Sequence, residues 1–177
     1  MLHNRVSDSN ISKEELLENI EITTTTYQDY HKIIDILSNC FDLSPYEVAS
    51  QFLFSKVDLQ NSVKVIDKRN GEIYGLLMFC NYNITVGTPI LHLNPLLGKL
   101  LQPFNQLNGH SFVLDERLRG FGVDRKMLNY NKEYVNQHKF IWCAVENSLK
   151  SHNYWKKLGF VEVLDNNEAK FYIKSLN

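Results

Sequence analysis

The stretch Phe112–Leu128, FVLDERLRGFGVDRKML, limits the fold of this chain more tightly than any other, because it reads as a strand running through a glycine-bearing loop into an amphipathic helix. After Gly122 the apolar and aromatic side chains fall at Val123, Met127, Tyr130 and Tyr134, with Leu128 and Val135 alongside, which predicts one helix face. Glycines just before a helix start let the backbone approach a ligand closely and leave the first-turn amides facing an anion. Arg117, Arg119, Arg125 and Lys126 gather positive charge at the same point. A phosphate-rich cofactor is the expected guest.

Two common phosphate loops do not fit these letters. A dinucleotide fingerprint needs a third glycine where Arg125 stands, and a Walker loop needs a glycine, lysine and hydroxyl residue in a row that does not occur here. The hexamer Arg117–Gly122, RLRGFG, does match an arginine or glutamine, two spacers, glycine, spacer, glycine. Downstream lies Phe140–Val163, FIWCAVENSLKSHNYWKKLGFVEV. It offers an apolar strand (Phe140–Val145), a helix-start candidate at Asn147, a tyrosine in a short helix, and Gly159 after Lys156 and Lys157 as a helix stop. Upstream, Val63–Phe79 reads as a hairpin turning at Asn70-Gly71.

These elements, in this order, resemble the GNAT superfamily of N-acetyltransferases, whose acetyl-coenzyme A loop carries the same glycine pattern; the resemblance spans residues 21–177. It implies an α/β (α+β) fold, the acyl-CoA N-acyltransferase fold, with a mixed central sheet of about six to seven strands flanked by helices on both faces. It also implies acetyl-CoA as cofactor. The backbone of Phe112, Val113 and Leu114 would align the pantetheine arm and polarise the acetyl carbonyl. The diphosphate would rest on amides from Leu118, Arg119, Gly120, Phe121, Gly122 and Val123, with Arg117, Arg119 or Lys126 pairing its charge, and Asn147 and Tyr154 completing the cofactor contacts. At Leu118 the family often has glycine, so this loop is expected to be stiffer.

Length and composition suit one domain with a substantial core: 177 residues, 44% hydrophobic and 12% aromatic. A formal net charge of -1 gives no general pull toward nucleic acid or anionic membrane, so neither is expected as a partner. Cys40, Cys80 and Cys143 form no CxxC pair and sit beside apolar residues, as reduced core thiols of a cytoplasmic protein would; no metal site is expected. No apolar run approaches the roughly 18 residues of a membrane helix, and the first residues lack a signal-peptide core.

Ser12–Glu15 has capping-box spacing, which predicts a helical arm over residues 1–20 outside the acetyltransferase-like domain at 21–177. A strand near Glu21–Thr25 follows, then a helix face of Ile33, Ile34, Leu37, Cys40 and Phe41. A second helix, capped by Ser44, Pro45 and Glu47, carries Val48, Ala49, Phe52 and Leu53. Residues 85–109 read as an inserted apolar flap, with Asn94 and Pro95 starting a short helix through Leu101. It would be a packed flap, or a lid or homodimer contact over the substrate entrance.

The resemblance makes the acceptor a primary amine of a small molecule or peptide, attacked directly in a ternary complex; a catalytically weak CoA-binding or regulatory module and a longer-chain acyltransferase are the alternatives. An amine with a pKa of about 10.4 arrives protonated and needs a base. Asp115, Glu116 and Glu146 are the nearest carboxylates in sequence, and His110 and His152 are weaker candidates. For the acid that protonates the departing thiolate, family spacing counted from Asn147 gives Tyr154 and counted from Phe160 gives Trp155; only the phenol can donate at the needed pKa.

Overall fold

The computed structural model describes residues 11–80, 99, 106–146, 151–165, 167 and 169–176. Its seven strands form one sheet in the order β1-β2-β3-β4-β5-β7-β6: β1 (Ile20–Thr24), β2 (Val63–Asp67), β3 (Ile73–Cys80), β4 (Gln106–Leu114), β5 (Phe140–Glu146), β6 (Val161–Asp165) and β7 (Ala169–Ser175). Pairing is antiparallel for β1/β2, β2/β3, β5/β7 and β6/β7 and parallel for β4/β5, so the sheet is mixed. The helices are α1 (Lys13–Asn19), α2 (Tyr30–Phe41), α3 (Pro45–Ser55), α4 (Val123–Tyr130), α5 (Lys132–Val135) and α6 (His152–Lys157). The chain divides into two compact units, Met1–Phe79 with Ser111–Lys132, and Cys80–His110 with Glu133–Asn177.

In the first unit local chemistry sets the element ends. Ser12 accepts the Glu15 amide at the start of α1, and Ser44 and Glu47 form a reciprocal capping box with Pro45 in the first turn of α3. The β2/β3 hairpin closes where expected: Asp67 N–H donates to Glu72 O, Gly71 N–H donates to Asp67 O, and Gly71 takes φ 70°. Helices α2 and α3 bury Ile33, Ile34, Leu37, Val48 and Phe52 in one cluster with Ile73, Leu76 and Met78 of β3 and Val113 of β4. Every residue of β3 is buried. Helix α1 belongs to the same unit, with Leu16 fully buried.

Three expectations need correcting. Leu53 is 79% exposed, because it lies about 100° round α3 from buried Phe52. The helix expected through Tyr134 breaks at Asn131 (φ −104°, ψ 37°), whose side-chain amide donates to Asn61 O at 2.6 Å; Tyr130 is left exposed before α5 resumes and buries Val135. Strand β4 begins at Gln106, so the last four residues of the 85–109 segment, Gln106–Gly109, are strand rather than flap. The expected helix from Asn94 to Leu101 lies outside the described residues, apart from Lys99, which is helical and exposed.

In the second unit β5 pairs along its length with β7, and Trp142, Phe171 and Ile173 pack together. The parallel ladder of β4 with β5 runs from Gln106–Phe140 to Asn108–Trp142. Helix α6 ends as its glycine predicts. Gly159 (φ 85°) donates to Lys156 O, Phe160 N–H reaches Trp155 O, and the Trp155 and Phe160 rings meet edge to face at 5.2 Å.

Candidate functional site

The loop between β4 and α4 has a buried root and an exposed crest. At the root, Asp115 is fully buried, and its main-chain amide donates to Tyr74 O at 2.9 Å. Its carboxylate caps the 3-10 turn Glu116–Leu118, with Oδ1 accepting the Arg117 amide at 3.0 Å. The same carboxylate accepts Nε and Nη2 of Arg117 at 2.8 and 3.0 Å, a two-pronged ion pair. The Arg117 guanidinium also sits 5.3 Å from the Tyr74 ring centre and donates to Ile11 O at 3.1 Å. Its hydrogen bonds to Asp115 hold Arg117 above the usual guanidinium range, so it stays charged despite its burial. Leu118, fully buried, plugs the root.

The crest follows. Gly120 (φ 83°) and Gly122 (φ 71°) both take the left-handed conformation, and a Cβ built on either would meet nothing within 4 Å. Glycine is therefore required by backbone conformation, and the space above it is open. The first α4 bond runs from Lys126 N–H to Gly122 O. Arg119–Gly122 form tight turns, and among the described residues the main-chain amides of Gly120, Phe121, Gly122, Val123, Asp124 and Arg125 donate no hydrogen bond of normal length and angle. They form a continuous row of donors at the positive end of a helix. Exposed Arg119 donates from Nε to Leu114 O at 3.0 Å, which holds its guanidinium at the end of β4.

This geometry redraws the sequence-derived site. Arg117 makes its ion pair with Asp115 and its further contacts with Tyr74 and Ile11. The amides of Leu118 and Arg119 are taken up within the 3-10 turn, by Asp115 O and Glu116 O. The available donors run two residues further than expected, to Asp124 and Arg125. The spacing Asp-x-Arg was a readable sign of the inward turn, because Asp67 and Arg69 make the same pair with the same amide contact.

Other candidates divide as follows. Asp115 is removed as a base by its ion pair, whereas Glu116 is exposed on the first residue of the turn. Burial pushes the His110 imidazole down to about 4, so it is neutral at pH 7 and a weak base. Burial pushes the Cys143 thiol up to about 12, which disqualifies it as a nucleophile. In the second unit, Tyr154 is half-buried on α6 with its ring edge to face against Trp155 at 5.4 Å. Trp155, 8% exposed and packed on Phe160, is a core residue. His152 Nδ1 lies 3.0 Å from the Tyr172 hydroxyl. Asn147 and the Glu146 side chain lie outside the described residues. Among the described residues Cys40, Cys80 and Cys143 form no disulfide. Among the described residues no cluster of metal-binding side chains forms, and no helix is long and apolar enough to cross a membrane.

No family model matches the sequence. No curated protein matches it either. Solved structures do match the fold. Ard1 from Thermoplasma volcanium is similar with a TM-score of 0.60 at 13% identity, over 89% of this chain and 97% of that one. NAA60 from Arabidopsis thaliana, solved with a bisubstrate analogue, gives 0.64 at 12% identity over 89% and 99%. Arylalkylamine N-acetyltransferase 2 from Aedes aegypti gives 0.59 at 17% identity over 90% and 100%. The mixed seven-stranded sheet with its flanking helices is the fold of the GNAT N-acetyltransferases.

Proposed function

We propose that the chain is an acetyl-CoA-dependent N-acetyltransferase acting on a primary amine of a small molecule or peptide. The observation that carries this reading is the row of unbonded amides from Gly120 to Arg125 over open space at the end of β4, in a fold whose solved members include N-acetyltransferases. Acetyl-CoA, when bound, supplies an activated thioester and a thiolate leaving group. The chain's own groups supply the rest. Crest amides would hold the diphosphate, with Arg119 offsetting its charge. Main-chain donors along Phe112–Leu114 would polarise the acetyl carbonyl. Glu116 or Glu146 would accept the proton of the incoming ammonium, directly or through water, and the Tyr154 phenol would supply the proton that the leaving group needs. Packing of Trp155 into the core favours Tyr154 over Trp155 for that last step, since the indole N–H cannot serve as the acid.

The test is thioester consumption over a panel of amines that includes arylalkylamines and short peptides. Turnover of at least one amine, with kcat reduced about a hundredfold in Tyr154→Phe at unchanged CoA affinity, is the expected result. Tight CoA binding without turnover of any amine would instead support a CoA-binding module.

A further inference from the structure

Two clasps of one design hold helix α1 and the residues leading into it, one at the β2/β3 hairpin and one at the root of the β4–α4 loop. In each, an aspartate accepts both the main-chain amide and the guanidinium of the arginine two residues on, and the spare Nη1 of that arginine reaches α1 or its approach. Arg69 pairs with Asp67 and reaches Glu15; Arg117 pairs with Asp115 and reaches Ile11 O. Leu16 of the same helix is fully buried. So held, α1 presents Lys13 with its ammonium 4.2 Å from the ring centre of Phe121, the residue between the two left-handed glycines of the crest. Phe121 is 45% exposed and Lys13 is exposed; among the described residues Lys13 forms no ion pair with a carboxylate. An ammonium resting on an aromatic face gains little at an exposed site and remains available to a stronger partner.

We propose that Lys13 is a phosphate-binding residue of the crest, carried in from α1, whose ammonium pairs with the diphosphate held by the amides of Gly120–Arg125. This rests on the acetyl-CoA reading above. It makes the first helix part of the cofactor site, and it places one cation on each flank of the crest, Lys13 over Phe121 and Arg119 over the end of β4.

The test is calorimetric titration of CoA and of dephospho-CoA, which lacks the 3′-phosphate, into the full chain and its Lys13→Gln, Lys13→Glu and Lys13→Arg variants. An exposed charge-assisted contact predicts about a fivefold loss of affinity for Lys13→Gln, about twentyfold for Lys13→Glu, and near-native binding for Lys13→Arg. The losses should be equal for both ligands. Thermal stability should not fall in Lys13→Glu, because an acidic residue suits the first turn of a helix. If the native protein binds CoA and Lys13→Glu binds it equally well, Lys13 is excluded while the loop assignment stands. If the loss vanishes with dephospho-CoA, the contact is to the 3′-phosphate and the diphosphate assignment is wrong. If the native protein binds neither ligand, the acetyl-CoA reading fails and this inference fails with it.

Discussion

Asp115–Leu118 and Arg119–Gly122 are neighbours in one loop, and each contains an arginine, yet one half is spent on holding the fold and the other is left open to a ligand. In the root every strong group has a partner: Arg117 meets Asp115, Tyr74 and Ile11, Leu118 is sealed in the core, and the amides of Leu118 and Arg119 close the turn. In the crest the amides are left without a hydrogen bond of normal geometry and the glycines hold a conformation that other residues adopt only with strain. The difference shows how a ligand loop keeps its shape without the ligand. The ordering contacts sit beneath it, so the donors above need not be spent on the protein itself.

The largest effect that tests this division is expected at the root. Arg117→Ala leaves the buried Asp115 carboxylate without its ion-pair partner and should cost about 3–5 kcal/mol of stability, read by urea unfolding. A loss below about 1 kcal/mol would mean that the root is not what holds the loop. Next comes the crest: Gly120→Val forces a β-branched residue to φ 83° and sets a side chain where the diphosphate would lie. It should weaken CoA binding by about a hundredfold, or about 2.7 kcal/mol, while unfolding remains cooperative. Native affinity in this variant would undo the assignment. Arg119→Ala should separate the two arginines most cleanly, lowering CoA affinity about three- to tenfold with a stability change under about 1 kcal/mol. The reverse pattern, stability lost at Arg119 and only affinity lost at Arg117, would invert the comparison.

The smallest expected effect concerns the second clasp. The hydrogen bonds from Arg69 hold the Asp67 carboxyl below its ordinary range. A folded-state pKa below the unfolded one means the clasp stabilises the protein at and above ordinary carboxylate pKa values, and that this contribution is lost as pH falls through the depressed value. Asp67→Asn should therefore flatten the acid limb of the stability profile below about pH 4, measured by thermal unfolding against pH. An unchanged limb would show that exposure of Arg69 to solvent cancels the pair.

Much of the fold was legible because its signals are local. The caps at Ser12 and Ser44, the hairpin glycine Gly71 and the helix stop at Gly159 each depend on residues within a few positions, and each element end falls where its chemistry predicts. What misled were contacts with distant partners. The contacts of Arg117 with Tyr74 and Ile11 could not be read from its neighbours, although Asp115 two residues before it announced the ion pair. The break at Asn131 is accompanied by its contact with Asn61 O, a partner 70 positions away. Leu53 reads as one of four apolar residues carried by α3, and only the packing of Phe52 decides which side of the helix faces inward. The glycine pattern located the loop; which of its amides are free required the 3-10 turn to be seen.

The most direct test is a titration of acetyl-CoA into nitrogen-15-labelled protein, following main-chain amide resonances. If the crest grips a diphosphate, the amides of Gly120–Arg125 shift strongly downfield at saturation, while those of Leu118 and Arg119, already bonded within the turn, move little. Binding that leaves Gly120–Arg125 unmoved, or no binding at all, would contradict the account.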